Sequence, residues 1–156
     1  MYRYDGFKNA ICLSLGHPNY KMLYSLRIKH PSIEWVVLGV KPNILWEKDC
    51  AFCTSNAAKA QVTQIPIQKR KGLVAFNSMF LPITGKPSRQ DLKLPDYCPT
   101  DPQAEVLLFD TILPNDIAGV VVPSKKMEAK LSLLYPSFSF LYHRAFYSAR
   151  LDYAYW

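Results

Sequence analysis

The chain has little that would place it in a membrane or in the secretory pathway. No run approaches the roughly 20 consecutive apolar residues of a membrane-spanning helix. Residues 1–5 also lack the basic-then-apolar order of a signal peptide. These absences predict a cytoplasmic protein without membrane contacts.

Cysteine is scarce, and its spacing gives weak support for a metal site. Cys50 and Cys53 have the C-x-x-C spacing of half a zinc site, but Cys12, Cys98 and the three histidines form no second pair. A reducing cytosol also disfavours disulfides. We therefore expect no metal, and interpret Cys50 and Cys53 as small core residues beside a short strand.

Three signatures of common enzyme classes are missing. The sequence has no glycine-rich phosphate loop, no H-E-x-x-H zinc helix and no G-x-S-x-G nucleophile elbow. Any chemistry must therefore come from a different set of residues.

The composition that is present indicates one globular domain with a basic surface. Hydrophobic residues make up 49% of the 156 residues and charged residues 20%. A chain of this length buries about 70% of the surface that its unfolded form exposes. The formal net charge of +7 suits an anionic partner such as nucleic acid.

The order of apolar runs and breakers predicts short strands and helices. Strands are expected at 10–15, 51–54, 103–109, 117–122 and 138–142, and at 34–40 with both faces buried. Helices are expected at 20–29 behind an Asn19 cap, at 42–46, at 56–60, and after Ser124 with Met127, Leu131 and Leu134 buried. With no repeat or linker, we predict a single α+β domain over residues 1–156.

Residues 65–97 are expected to form a long basic loop. Four prolines and two glycines interrupt any periodicity in this stretch. Its basic residues are Lys69, Arg70, Lys71, Lys86, Arg89 and Lys93. Two interpretations stay open: a solvated charged face, or a surface that binds a nucleic-acid strand and stacks Phe76 and Phe80 on its bases.

Glu105 stands out because it enters an apolar strand near that strand's first residue. Pro99 and Pro102 prevent a helix before it, and the run that follows is apolar and β-capable. Alternation along a strand would place Gln103, Glu105 and Leu107 on one face. The carboxylate is then either a solvent-facing strand end, or a buried group that is paired or kept for chemistry.

Three segments, in order, resemble the DarT family, the toxin half of DarT/DarG toxin–antitoxin systems. Residues 99–107, PTDPQAEVL, resemble the segment around that family's catalytic glutamate. Residues 18–24, PNYKMLY, and 54–58, TSNAA, resemble its Pro-x-x-x-Met-Leu-Tyr and Asn/His-Ala-Ala elements. Over residues 3–122 the resemblance implies an ADP-ribosyltransferase-like mixed or antiparallel β core with flanking short helices.

The resemblance also implies an activity and roles for single residues. Members are DNA ADP-ribosyltransferases that use NAD+ as substrate, which makes single-stranded DNA and a DarG-type antitoxin the expected partners. Glu105 is the expected catalytic carboxylate, which stabilises an oxocarbenium-like ribose, and Gln103 is expected to contact the acceptor. The residues expected to bind NAD+ are Asn19, Lys21, Met22, Tyr24 and Asn56.

Two features depart from the family pattern. Asn19 stands where many members carry an arginine, and the family's N-terminal His-bearing strand has no counterpart before Arg3. An abbreviated NAD+ cleft, an N-terminal truncation or a loss of activity would each account for this. Three functions are therefore considered: a DarT-type transferase, a non-catalytic domain that binds single-stranded nucleic acid, and a structural or protein-binding domain.

Overall fold

The computed structural model describes residues 4–156. Arg3, where the resemblance begins, lies outside the described residues. The strands are β1 (Ile11–Leu13), β2 (Val37–Val40), β3 (Cys50–Cys53), β4 (Glu105–Leu108), β5 (Ile117–Val122) and β6 (Phe140–Tyr142). The α-helices are α1 (Tyr20–Lys29), α2 (Ile44–Glu47), α3 (Ala60–Thr63), α4 (Gly72–Ser78) and α5 (Lys125–Leu134).

The chain divides into two compact units, each with its own three-stranded sheet. The first unit comprises Met1–His17, Leu45–Thr111 and Leu151–Trp156, and the second comprises Pro18–Ile44 and Ile112–Arg150. One antiparallel sheet, one mixed sheet and short helices confirm the α+β fold class. The single-domain assignment over residues 1–156 stays a prediction. None of the helices in the described part of the chain is long and apolar enough to cross a membrane.

The first unit is built on a fully buried central strand. Its sheet has the order β1-β4-β3 with antiparallel pairs throughout, and Cys53 stands opposite Glu105. Every residue of β3 and β4 is buried. Ala51 and Leu107 pack with Val62 at the centre of a core that Phe7 and Phe109 close from the side. This core fixes the position at which Glu105 enters the sheet.

Cys50 and Cys53 are buried in that core as free thiols, which confirms their predicted role as small core residues. Burial has the largest effect on the Cys50 thiol and raises its pKa to about 11. Burial also raises the pKa of Cys53, although the hydrogen bond from Arg70 acts in the opposite direction. Within residues 4–156, no three side chains of the metal-binding types cluster closely enough to hold a metal ion.

The second unit pairs β5 with β2 in the antiparallel sense and with β6 in the parallel sense. Val120, Val122 and Met127 form its core. The Tyr147 hydroxyl donates to the Val121 carbonyl at 2.7 Å, and burial raises the pKa of Tyr147 to about 12.

The predicted caps of the two longest helices are confirmed. The Asn19 side chain accepts a hydrogen bond from the Met22 amide at 3.4 Å, and the Ser124 hydroxyl accepts one from the Met127 amide at 3.2 Å. Both satisfy amide donors that the first helical turn leaves without a partner.

Several predictions about burial and element bounds are wrong. Strand β2 covers four residues and is not buried on both faces, because it lies at the edge of a three-stranded sheet and leaves Leu38 exposed. Leu134, predicted to be buried, is also exposed at the last turn of α5.

The stretches around residues 56–60 and 65–97 also differ from expectation. The predicted helix at 56–60 is a turn, and α3 begins at Ala60. The predicted loop contains α4, because Gly72 has a φ of +78° at the start of the helix and no proline follows until after Ser78. The glycine therefore begins a helix here instead of breaking one.

Gly16 offers a test of the packing in the first unit. Its φ is +68°, and a Cβ there would lie 2.8 Å from Tyr97 Cδ2 and 2.9 Å from Cys98 Sγ. Gly85 has a φ of +78° but would place its Cβ in open space. In urea unfolding, we expect Gly85→Ala to cost about 1 kcal/mol from backbone strain alone, and Gly16→Ala to cost about 1–3 kcal/mol more from the clash. Equal losses of unfolding free energy in the two variants would contradict the close approach of Gly16 to Tyr97 and Cys98.

Candidate functional site

The centre of the candidate site is Glu105, the first residue of β4. Only 5% of its surface is exposed. Its carboxylate accepts a hydrogen bond from the Ala57 amide at 2.8 Å and one from the Asn56 side-chain amide at 3.1 Å. The interpretation of Glu105 as a solvent-facing strand end is therefore wrong. A buried carboxylate of this kind needs such donors, because desolvation without them costs several kcal/mol.

Both donors belong to a turn that joins β3 to α3, which we call the 55–59 turn. The Asn56 side-chain oxygen accepts from the Ala58 amide at 3.0 Å, and the Asn56 carbonyl accepts from the Lys59 amide at 3.0 Å. Asn56 therefore contacts its own turn through its oxygen and Glu105 through its nitrogen. Because the oxygen accepts and the nitrogen donates, these two hydrogen bonds fix the orientation of the Asn56 side-chain amide.

The same turn also holds a second buried carboxylate. Asp101, with 4% of its surface exposed, accepts from the Ser55 hydroxyl at 2.5 Å and from the Gln103 amide at 2.7 Å. The Lys59 ammonium lies 2.6 Å from the Ser55 hydroxyl and 3.6 Å from the Asp101 carboxylate. The segment before Glu105 is thereby tied to the 55–59 turn at two points.

Two cavities lie beside this turn, and they share no lining residue. The smaller, the Glu105 pocket, has a volume of about 130 Å³ and is lined by Tyr4, Asp5, Cys12, Asn56, Ala57, Ala58 and Glu105. The larger, the Gln103 cleft, has a volume of about 460 Å³. It is lined by Thr54, Ser55, Lys59, Gln61, Ser78, Met79, Leu81, Pro82, Ile83, Lys86, Asp101, Gln103 and Trp156.

The prediction that Gln103 and Glu105 share one strand face is wrong. Strand β4 begins at Glu105, and Gln103 lies in the preceding turn, where its amide is bonded to Asp101. Alternation of faces applies only within a strand. As a result, the two side chains line different cavities.

Of the residues predicted to bind NAD+, Asn56 lies beside Glu105 in the first unit. Asn19, Lys21, Met22 and Tyr24 belong to the second unit, at the N-terminal end of α1. Asn19 is buried and caps the helix, whereas Lys21, Met22 and Tyr24 are exposed. Contacts of all five with NAD+ stay predictions.

The predicted DNA-binding residues fall into two groups. Lys69, Lys86 and Lys93 are exposed. Arg70, however, is buried, with its guanidinium over the Phe7 ring and bonded to the Cys53 thiol. Its predicted role in a solvent-facing basic surface is therefore wrong.

Internal contacts also occupy other members of the predicted surface. The Arg89 guanidinium donates to the Cys98 carbonyl at 2.7 Å, and the Lys71 ammonium pairs with Asp49. The Phe76 ring packs edge-on against Phe52 and also contacts Phe80, so both rings belong to a hydrophobic cluster. Contacts of Lys71, Arg89, Phe76 and Phe80 with DNA stay predictions.

The sequence analysis did not identify Ser55, Lys59 and Asp101. Asp101 lies between Pro99 and Pro102, in the segment that prevents a helix before Glu105. The one available signal was its position two residues before Gln103, where an aspartate commonly accepts a hydrogen bond from a later backbone amide. Its pairing with Ser55 spans 46 residues and leaves no mark in local sequence.

The network around Asp101 should contribute measurably to stability. Asp101→Ala leaves the Ser55 hydroxyl and the Gln103 amide without their acceptor, which we expect to cost about 1–3 kcal/mol. Asp49→Ala removes a solvent-exposed ion pair with Lys71 and should cost less than about 1 kcal/mol. Urea unfolding of the two variants checks the difference, and an equal cost would contradict the structural role of Asp101.

Comparisons with known proteins place this chain in a family. The model of a family described as "DarT: ssDNA thymidine ADP-ribosyltransferase, DarT" matches residues 17–146. A search of curated proteins found no match. Among solved structures, "Thermosipho africanus DarTG in complex with ADP-ribose" resembles the chain with a TM-score of 0.56 at 15% identity.

That likeness covers 89% of this chain and 36% of the Thermosipho africanus chain, so this chain spans about a third of the other's length. At this identity it supports the fold and not the activity. The family match, in contrast, extends over most of the sequence, from His17 before α1 to Phe146 after β6. The chain therefore belongs to the DarT family.

Proposed function

We propose that this chain transfers ADP-ribose from NAD+ to a thymidine base in single-stranded DNA, with Glu105 as the catalytic carboxylate. Membership of the DarT family supports the reaction. The observation that carries the proposal is a buried carboxylate, held by two donors, that lines a pocket at the start of a strand.

The proposed reaction breaks the bond between the nicotinamide nitrogen and C1 of its ribose. The bonding electrons leave with nicotinamide, and C1 develops the positive charge of an oxocarbenium-like transition state, as in glycoside hydrolysis. A fixed carboxylate beside the ribose stabilises this charge. The thymine base then forms the new bond to C1 and loses a proton, which Glu105 accepts as general base.

The 55–59 turn supports this role because it orients the carboxylate before any substrate binds. Two hydrogen bonds restrict the Glu105 side chain to one geometry, so its orientation costs little at the moment of reaction. The Glu105 pocket, at about 130 Å³, is smaller than typical small-molecule sites of about 300–1,000 Å³. We therefore assign only the nicotinamide-ribose end of NAD+ to it.

The proposed partners follow from charge and family. Exposed lysines such as Lys69, Lys86 and Lys93 would neutralise DNA phosphates and release counterions. By family membership we also propose a toxin role that a DarG-type antitoxin counteracts, and a cytoplasmic location.

One observation favours a second candidate function, a non-catalytic domain that binds single-stranded nucleic acid. Tyr4, Asp5 and Cys12 line the Glu105 pocket and leave 5% of Glu105 exposed, which restricts access for NAD+. In this case the exposed lysines would bind DNA while the carboxylate serves only the fold.

The decisive variant is Glu105→Gln, which keeps the shape of the side chain and removes its charge. We expect the transfer of labelled ADP-ribose from NAD+ to a thymidine-containing single-stranded oligonucleotide to fall at least about a hundredfold. Glu34→Gln is the matched control, because Glu34 is exposed and pairs with Lys130 on the surface. Its activity should equal that of the unmodified chain.

Thermal unfolding should first establish that both variants are folded. Activity of Glu105→Gln within a fewfold of the unmodified chain would refute the catalytic role of Glu105. An unmodified chain that binds the oligonucleotide but transfers nothing would support the non-catalytic function.

A further inference from the structure

The Gln103 cleft has the size and the lining of a nucleotide site. Its volume of about 460 Å³ lies within the range of small-molecule sites. Met79, Leu81, Pro82 and Ile83 give it an apolar wall, and Trp156 adds an indole ring. A flat base packs against such surfaces, and stacking on an aromatic ring is favourable for every base.

The indole is held in place by its own contacts. Its ring nitrogen donates to the Asp152 carboxylate at 3.0 Å, and Asp152 is buried. Lys86 donates to the Tyr155 carbonyl at 2.6 Å and places its ammonium 5.1 Å from the centre of the Trp156 ring. The Lys86 ammonium therefore lies over the face of the indole ring, within the same cleft where a nucleotide phosphate would need a cation.

The Lys86 ammonium gives the cleft a cation that can meet a phosphate. Asp101, which also lines the cleft, is paired with Lys59 and accepts two hydrogen bonds, so its charge is largely neutralised. Among residues 4–156, no carboxylate lies within ion-pair distance of Lys86. The side-chain amides of Gln61 and Gln103 can meet the hydrogen-bonding edge of a base.

The cleft is separate from the Glu105 pocket. Ser55 and Gln103 line the cleft, whereas Asn56 and Glu105 line the pocket, so adjacent residues of one turn face two different cavities. A nucleotide in the cleft is therefore not the one whose base reacts at Glu105. Trp156 also lies beyond residues 17–146, the part of the chain that the family model matches.

We propose that the Gln103 cleft binds one nucleotide of the DNA strand that flanks the modified base, with its base against Trp156 and its phosphate at Lys86. This proposal rests on the proposed function, because it names a further subsite for the same DNA strand. NAD+ also contains nucleotides, and only its nicotinamide-ribose end is assigned to the Glu105 pocket, so the test below includes occupation of the cleft by the rest of NAD+ as an outcome that overturns the proposal.

The test is fluorescence-anisotropy binding of a short, labelled, thymidine-containing single-stranded oligonucleotide to the full chain without NAD+. Trp156→Leu should weaken binding about 5- to 150-fold, the loss expected for one stacked base, with the salt dependence unchanged. Trp46→Leu is the control, because Trp46 is exposed and does not line the cleft.

Substitutions that change the charge at the cleft provide an independent test of DNA binding. Lys86→Gln should reduce the slope of log Kd against log salt by about 0.7, the value for one phosphate on a single strand. Gln61→Glu places a negative charge at an exposed lining position without removing packing, and should weaken binding about fivefold. Gln90→Glu makes the same change at an exposed position outside the cleft and should have no effect beyond that of net charge.

The outcomes separate this subsite from the proposed function. Wild-type affinity in folded Trp156→Leu and Gln61→Glu would overturn the subsite, even if the unmodified chain transfers ADP-ribose. Loss of affinity in both, with no transfer by the unmodified chain, would support the subsite and refute the transferase. An unmodified chain that does not bind the oligonucleotide would overturn both.

A final experiment tests whether NAD+ occupies the Gln103 cleft instead of DNA. NAD+ should raise the melting temperature of the unmodified chain and of Trp156→Leu equally, because the cleft does not hold it. A shift that disappears in Trp156→Leu while DNA affinity is kept would assign the cleft to NAD+ and overturn the proposal.

Discussion

The hydrogen bonds that hold the buried Glu105 carboxylate are the constraint on which the first unit depends. A carboxylate with 5% of its surface exposed must be supplied with donors, and the Ala57 amide and the Asn56 side chain supply them. The antiparallel pairing of Cys53 with Glu105 places the end of β3, and therefore the turn that follows it, directly beside the carboxylate.

The same turn determines how the two cavities are divided. Ser55 and Lys59 hold Asp101 on one side, while Asn56 and Ala57 hold Glu105 on the other. Five consecutive residues thus fix both the proposed catalytic carboxylate and the loop that carries Gln103. This arrangement suits a reaction that joins two substrates, since one turn can position a donor in one cavity and a flanking part of the acceptor in the other.

The features that local sequence could predict were those with local causes. The caps by Asn19 and Ser124, strand β5, and the entry of Glu105 at the start of β4 follow from neighbouring residues and were predicted correctly. The family resemblance found Glu105 and Asn56, which the structure brings together. One of the failures depended on distant contacts. Arg70 looked like one more charge in a basic run, and its burial is caused by Phe7 and Cys53, which lie far away in sequence.

The central claim is that the 55–59 turn positions Glu105 for transfer, and Asn56→Ala tests it most directly. Asn56 is also predicted to contact NAD+ directly. Steady-state kinetics of ADP-ribose transfer separate that role from the orientation of Glu105. If Asn56 acts by orienting Glu105, kcat should fall about tenfold, the equivalent of one hydrogen bond of about 1.4 kcal/mol, with the KM for NAD+ nearly unchanged. A raised KM with an unchanged kcat would contradict the account, because it would mean that Asn56 binds NAD+ and that the orientation of Glu105 does not depend on it.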